Sequence, residues 1–410
     1  MTTLVDTSAP VTIMLRASWA FDGASSTLIA NPTVVLAGGR IAALVAGEAP
    51  VDGALIVDLP GATLLPGLVD PHLHLCLDAS EDPVGHLAEV DNEALLREMA
   101  AAARRALGAG ITTVRDLGDR SYLALELRDQ EAAFGPLPTI VAAGPPITSP
   151  GGHCHFLGGT ANGTAGVRAA VAERAERGVG VIKVMASGGS ITAGSCPHEP
   201  QFGRDELRAA VEEAHRRGLP VTAHAHSTRS IADAVEAGVD GIEHASFMTA
   251  DGVDAPEALI RRIAERRVAI GATLARLPDP HRRPPPAIAS RIEGMQTSLR
   301  RLHEAGAVMV AGSDAGISPV MPHDVLPWAL EQLAEVGLSP AEALWSITSR
   351  AAQVCGLGHR KGRLASGYDA DILAVDGNVL EDPGALRRVV AVYAGGRLVA
   401  SCSPAAAVRH

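Results

Sequence analysis

Short aliphatic runs recur along this chain, separated by segments whose apolar residues fall at i, i+3 and i+4. The runs are Leu64–Leu75, Thr112–Leu117, Thr139–Ala143, Val181–Met185, Val221–Ala225, Gly241–His244, Val268–Leu274 and Val308–Ala311. Helical spacing fills the intervals, most clearly over Asn92–Leu107, Arg204–Arg217 and Ser230–Ala237. Glycine follows several of these segments (Gly108, Gly178, Gly218, Gly238, Gly306), as helix C-caps favour. Eight runs alternating with helices predict an α/β fold, a (β/α)8 TIM barrel over residues 65–356. An open doubly wound sheet would carry a Gly-rich phosphate turn after its first strand, and Leu75–Ser80 is not one.

The flanks read differently. Thr12–Arg16, Thr33–Ala37, Arg40–Val45 and Ala54–Asp58 are short strands, with Gly38–Gly39 as a hairpin turn. Asp371–Val375, Val389–Ala394 and Arg397–Ala400 repeat the style around Gly395–Gly396. Two β-rich ends predict one small β-sandwich domain assembled from residues 1–64 and 357–410. Within the barrel, the proline-rich segment Leu277–Pro286 predicts an exposed loop or lid after the seventh strand.

Composition narrows the function. With 410 residues, 47% hydrophobic and 20% charged, the chain can bury a large core. Its formal charge of −11 leaves no electrostatic footprint for nucleic acid and no polybasic membrane patch. Five cysteines without a CxxC pair argue against a disulfide scaffold or a cysteine-based zinc site. Met1–Leu15 lacks the basic and apolar regions of a secretory signal, and no apolar run reaches about 18 residues, so a cytoplasmic protein is expected.

The 15 histidines carry the chemistry. The first barrel run contains Asp70-Pro71-His72-Leu73-His74, and alternate residues on a strand share a face, so both imidazoles can hold one metal. Lys183 sits inside Val181–Met185, where a charged amine is costly unless neutralised or paired. Burial lowers an amine's pKa and makes it nucleophilic towards CO2, giving a carboxylated lysine able to bridge two cations. His224 and His226 close the fifth run, Glu243-His244 the sixth, and Ser313-Asp314 the eighth. These ligand types at the C-terminal ends of barrel strands suit two divalent ions, zinc by default.

PGLVDPHLH (Pro66–His74), IKVMASGG (Ile182–Gly189), AHAH (Ala223–His226), IEHASF (Ile242–Phe247) and AGSDAG (Ala311–Gly316) together resemble the amidohydrolase superfamily. The resemblance spans essentially the whole chain and is closest in style to the imidazolonepropionase-related branch, with its Xaa-Pro dipeptidase-like and ochratoxin amidase-like binuclear hydrolases. It implies that His72, His74 and Asp314 hold the more buried ion, that His224 and His244 hold the second, and that carboxylated Lys183 bridges them. The ions would activate water and polarise a carbonyl, with Asp314 as general base. His153, on a Gly-Gly loop after the third strand, and His226 are expected at the substrate, with His198 and His323 as further loop candidates. Arg115 and Asp116 are expected to pair or to orient ligands.

The expected reaction is cleavage of the amide C–N bond of a dipeptide, Xaa-Pro in type, or of an N-acyl amino acid. Hydrolysis of a cyclic amide, carbamate or ester is the second reading, and a catalytically silent barrel the third. A substrate carboxylate would require a fixed cation, and no arginine stands out for it. With aromatics at 3%, specificity is expected to rest on polar loop groups and pocket shape. The resemblance also implies a homo-oligomer acting on a small molecule.

Overall fold

The computed structural model describes residues 12–49, 51–281, 284, 286–401 and 407–409. Eight parallel strands follow one another between Leu68 and Gly312. Leu68–Leu73, Ile111–Asp116 and Thr139–Ala142 form one parallel sheet. Ile182–Met185, Val221–Ser227, Gly241–Met248, Ala269–Thr273 and Val308–Gly312 form a second. The two sheets meet at both edges. Past the third strand, Ile147 bridges Val184 in parallel, its N–H donating to the Lys183 carbonyl at 2.8 Å. Past the eighth, Ala315 bridges Leu73, and the Asp314 N–H donates to the His72 carbonyl at 2.7 Å. These seams tie the neighbourhoods of three candidate site residues to the sheets themselves.

Helices connect successive strands, and their sequences explain their ends and their inner faces. Asn92–Gly108 starts at Asp91, whose carboxylate accepts from the Ala94 N–H, and buries Leu95, Leu96, Met99, Ala103 and Leu107. Thr228–Ala237 stops at Gly238, which takes φ 91. Glu257–Glu265 buries Leu259, Ile260 and Ile263, the i, i+1, i+4 set of one inward face. The three helices expected from periodicity all form, within two residues of the expected ends. No helix of the described residues is long and apolar enough to cross a membrane.

The chain's two ends build one nine-stranded sheet. Ile372–Asp376 runs antiparallel to Leu55–Pro66, which joins the C-terminal strands to the N-terminal ones. Leu15, Leu36 and Ile41 from one end share a buried core with Ile372, Ala391 and Tyr393 from the other. Both Gly-Gly turns form as expected, with φ of 57 and 76 at Gly38 and Gly39 and of 54 and 77 at Gly395 and Gly396.

One expected strand is corrected. The run Leu64–Leu75 is split at Gly67 into the end of Leu55–Pro66, in the nine-stranded sheet, and Leu68–Leu73, the first parallel strand. A Cβ at Gly67 would collide with the Thr112 hydroxyl, so the crossing between sheets is made where no side chain is needed. Of the proline-rich loop, residues 282, 283 and 285 lie outside the described residues.

Candidate metal centre

The candidate ligands converge at the C-terminal ends of the parallel strands, around a cavity of about 640 Å³. His72, His74, His153, Lys183, His224, His226, His244 and Asp314 all line it. Asp314 Oδ1 lies 3.3 Å from His72 Nε2 and 3.4 Å from His74 Nε2. His224 Nδ1 and His244 Nε2 are 3.0 Å apart. Two nitrogens on one tetrahedral zinc ion stand roughly 3.3 Å apart, so this spacing suits a shared cation. The His72 and His244 rings, 5.2 Å between centroids, join the two halves.

Each of these four imidazoles is held from behind by an oxygen. His72 Nδ1 lies 2.9 Å from Glu243 Oε2, and His74 Nδ1 lies 3.0 Å from the Gly118 carbonyl. His224 Nε2 is 3.0 Å from the Gly188 carbonyl, and His244 Nδ1 is 3.0 Å from the Thr273 hydroxyl. A ring N–H donated outward leaves the inward nitrogen with its lone pair, which is the tautomer a metal requires. Burial pushes the His224 and His244 pKa values well below the ordinary 6.5, helped by neighbouring imidazoles, so these rings stay neutral.

Two ligand-type residues adopt backbone conformations that non-glycine residues seldom use. His244 has φ 71 and Asp314 has φ 53. Such positions cost on the order of 1–3 kcal/mol each and cluster at functional sites, where the surrounding fold enforces them. Here the seam bond from Asp314 N to His72 O fixes the turn that presents the carboxylate.

Lys183 is 1% exposed, and its Nζ has no hydrogen-bond partner in the described structure. Desolvation lowers its pKa to about 8, so about a tenth of the amine is neutral at pH 7, far more than for an exposed lysine. Burial alone would raise the Asp314 carboxyl, but His72, His74 and Lys183 hold it below the usual carboxylate range. His153 is buried with Nδ1 unpartnered, and burial pushes it down to about 3. His226 stacks on His244 at 4.5 Å and bonds the Ser246 hydroxyl at 2.9 Å.

The structure places two expected loop residues elsewhere. His323 does not line the cavity; it is buried behind the site, with Nε2 3.0 Å from the His74 carbonyl. His198 lies beside Cys196 (Sγ to Nδ1 3.2 Å) and borders a separate surface depression with Thr228 and Arg229. Their sequence context put both on loops after the correct strands, but loop position alone does not set direction. Arg115 does not pair with Asp116. It donates to Glu243 at 3.0 Å and to the Pro71 carbonyl at 2.6 Å, while Asp116 accepts from the backbone of Leu75 and Gly118.

Glu243 is the residue missed by the sequence reading. Wholly buried, it receives Arg115, Thr222 Oγ1 at 2.6 Å and His72 Nδ1, and its charge is held against desolvation by His72 and Arg115. Gly271 on the neighbouring strand leaves room for it, since a Cβ there would strike the carboxylate. Replacing Glu243 by glutamine leaves the Arg115 charge buried and unpaired. The expected result is a loss of about 3–5 kcal/mol of stability by chemical denaturation, with metal affinity reduced roughly 10–100-fold by competition with a chelator. Asp70 was also passed over; it accepts the backbone N–H groups of His72 and Ser313, and burial raises its pKa to about 7.

The cavity wall combines an aliphatic and thioether surface, with Met185, Met248, Leu274, Met295, Leu299 and Met321, and polar groups that include Ser190, Thr273, Ser318 and one arginine, Arg276.

Relatives bear on this geometry. The amidohydrolase family model matches residues 63–399. Ochratoxinase from Aspergillus niger is 29% identical over 377 residues, covering 82% of this chain and 75% of its own. A solved Xaa-Pro dipeptidase with methionine bound in its active site superposes with a TM-score of 0.82 at 26% identity, covering 94% of this chain and 99% of that one. A prolidase solved with N-methylphosphonate-L-proline superposes with a TM-score of 0.80 at 27% identity, over 95% and 99% of the two chains.

Proposed function

The chain belongs to the amidohydrolase family and is a hydrolase of carbon–nitrogen bonds; from that premise we propose that it cleaves the amide bond of a dipeptide, Xaa-Pro in type, or of an N-acyl amino acid. The eight parallel strands are read as one closed (β/α)8 barrel, whose C-terminal end carries a binuclear metal centre. His72, His74 and Asp314 would hold one ion and His224 with His244 the other, with Lys183 bridging them as its carbamate. Zinc is the default for such nitrogen and oxygen donors.

The residues fit the group. An oxygen behind each of the four imidazoles favours the tautomer whose inward nitrogen is free to bind a cation. The Lys183 amine, buried without a partner, is placed to add to CO2 and lose a proton, giving a carbamate whose oxygens replace the missing hydrogen bonds. This pairing of fixed tautomers with an orphan amine is the observation that carries the reading.

When bound, two divalent ions lower the pKa of a water molecule towards 7 and polarise a carbonyl. Asp314 then accepts the proton of the attacking water at Oδ1 or Oδ2 and returns it to the departing nitrogen. His153 lines the same cavity and is suited to a hydrogen bond with the substrate carbonyl or carboxylate. His226 is held by Ser246 at the opposite wall.

The test is a panel of dipeptides and N-acyl amino acids incubated with zinc-loaded protein, with metal content measured by plasma mass spectrometry. Release of free amino acid from part of the panel, with about two ions per chain, is expected. Silence across the panel with two ions bound would move the reaction to cyclic amides, carbamates or esters. Fewer than one ion per chain would overturn the metal centre itself.

A further inference from the structure

We infer that the cavity takes an N-acyl amino acid whose acyl group is a long aliphatic chain and whose carboxylate is bound by Arg276. The inference rests on the amide-hydrolase reading and narrows it from dipeptides to acylated amino acids.

The carboxylate half rests on Arg276. It lies on the segment after the seventh strand, lines the cavity and is exposed at the mouth. Its backbone is pinned on both sides: Gln332 Nε2 donates to its carbonyl at 2.9 Å, and the next residue, Leu277, donates to the Val320 carbonyl at 2.8 Å. No guanidinium partner exists among the described residues, and the one charge that acts on it is that of Asp314, across the same space. An unpartnered guanidinium on a pinned backbone, lining the cavity that holds the hydrolytic centre, is suited to bidentate binding of a carboxylate.

The acyl half rests on what the rest of the wall offers. A dipeptide brings an ammonium group that needs a carboxylate partner. The lining carboxylates are Asp314, which belongs to the metal centre, and Asp279, which has a partner of its own. Among the described residues lining the cavity, no carboxylate is left free to pair with an ammonium. Instead, Met185, Met248, Leu274, Met295, Leu299 and Met321 present flexible, unbranched or γ-branched apolar surface. Methionine adapts to a flexible chain better than a shaped aromatic slot would. At about 30 Å³ per non-hydrogen atom, 640 Å³ holds roughly 20 such atoms, about the size of N-dodecanoyl-L-alanine. The reaction is balanced by water alone. Its oxygen bonds to the acyl carbon, the C–N bond breaks, and the nitrogen leaves with a proton, giving a fatty acid and a free amino acid.

The experiment compares N-acetyl-, N-octanoyl- and N-dodecanoyl-L-alanine, N-dodecanoyl-L-alaninamide and Ala-Pro on the metal-loaded full chain. Expected are a rise in kcat/KM of at least about tenfold from acetyl to dodecanoyl, and a preference of about tenfold or more for the acid over its amide. Arg276→Met should erase the acid–amide difference, chiefly by raising KM for the acid, and Arg276→Lys should restore part of it. Faster turnover of Ala-Pro or of the acetyl compound, or an equal loss on acid and amide in Arg276→Met, would overturn the inference while leaving an amide hydrolase. If no amide is cleaved, the parent reading falls, and calorimetry with the uncleaved N-dodecanoyl-L-alanine decides the pocket alone. Binding at least about tenfold weaker to Arg276→Met than to wild type supports it; equal Kd values overturn it.

Discussion

Replacing Lys183 by alanine is expected to lower kcat/KM roughly a thousandfold (about 4 kcal/mol at the transition state) and to reduce bound metal from about two ions to one or fewer. The side chain is buried, and its strand pairs with Val221–Ser227 through the Lys183–Thr222 register. An amine so placed, without a hydrogen bond, is a net cost to folding unless it is converted into something that binds. Two further outcomes separate a bridging carbamate from ordinary packing. Short carboxylic acids added to Lys183→Ala should restore part of the activity, because acetate can fill the vacated volume and supply two oxygens. Lys183→Met should be as inactive but, in metal-free protein, at least as stable as wild type, since it removes the buried amine and keeps the volume. Retention of two ions at wild-type turnover in Lys183→Ala would remove the lysine from the centre.

What could be read in the sequence had a local period. His72 and His74, like His224 and His226, are two apart on strands, so alternation alone puts each pair on one face, and the structure brings all four to one cavity. Lys183 was legible because a charge inside an aliphatic run breaks the pattern. Local reading failed where partners are far apart in the chain. Arg115 was expected to pair with Asp116 or to orient ligands; strand alternation turns it away from Asp116, and it instead holds Glu243, 128 residues on, which braces His72. Glu243 was hidden by the histidine beside it. Alternation also fails at His244 and Asp314, whose left-handed backbone re-aims the side chain and leaves no mark on a sequence without glycine at those positions. The split at Gly67 did leave a mark, a Pro-Gly turn signal at Pro66-Gly67, which the apolar run on either side outweighed. Arg276 carried no signal, since a lone arginine on a loop becomes notable only once the wall around it is seen to be apolar and its charge unmatched.

Asp314→Asn is expected to lower kcat by about 10²–10⁴-fold with little change in KM, measured on protein confirmed to carry its metal. Asparagine is the informative replacement because Asp314 sits at φ 53, a conformation that asparagine tolerates as well as aspartate does and that alanine resists. The seam from the residue 314 N–H to the His72 carbonyl therefore survives, and the thermal midpoint of the variant should stay close to wild type. What changes is proton affinity. In the metal-free protein with a free Lys183 amine, His72, His74 and Lys183 hold the Asp314 carboxylate ionised despite its burial, so the side chain is available to accept the proton of the attacking water. An amide at the same place keeps one oxygen towards His72 and His74 but cannot carry that proton to the leaving nitrogen. Substrates whose leaving amine is already weakly basic, such as anilides of the same acyl group, need less proton delivery and should lose less on the substitution. A uniform loss on anilide and alkyl amide, with metal bound, would assign Asp314 to holding the ion and not to moving the proton.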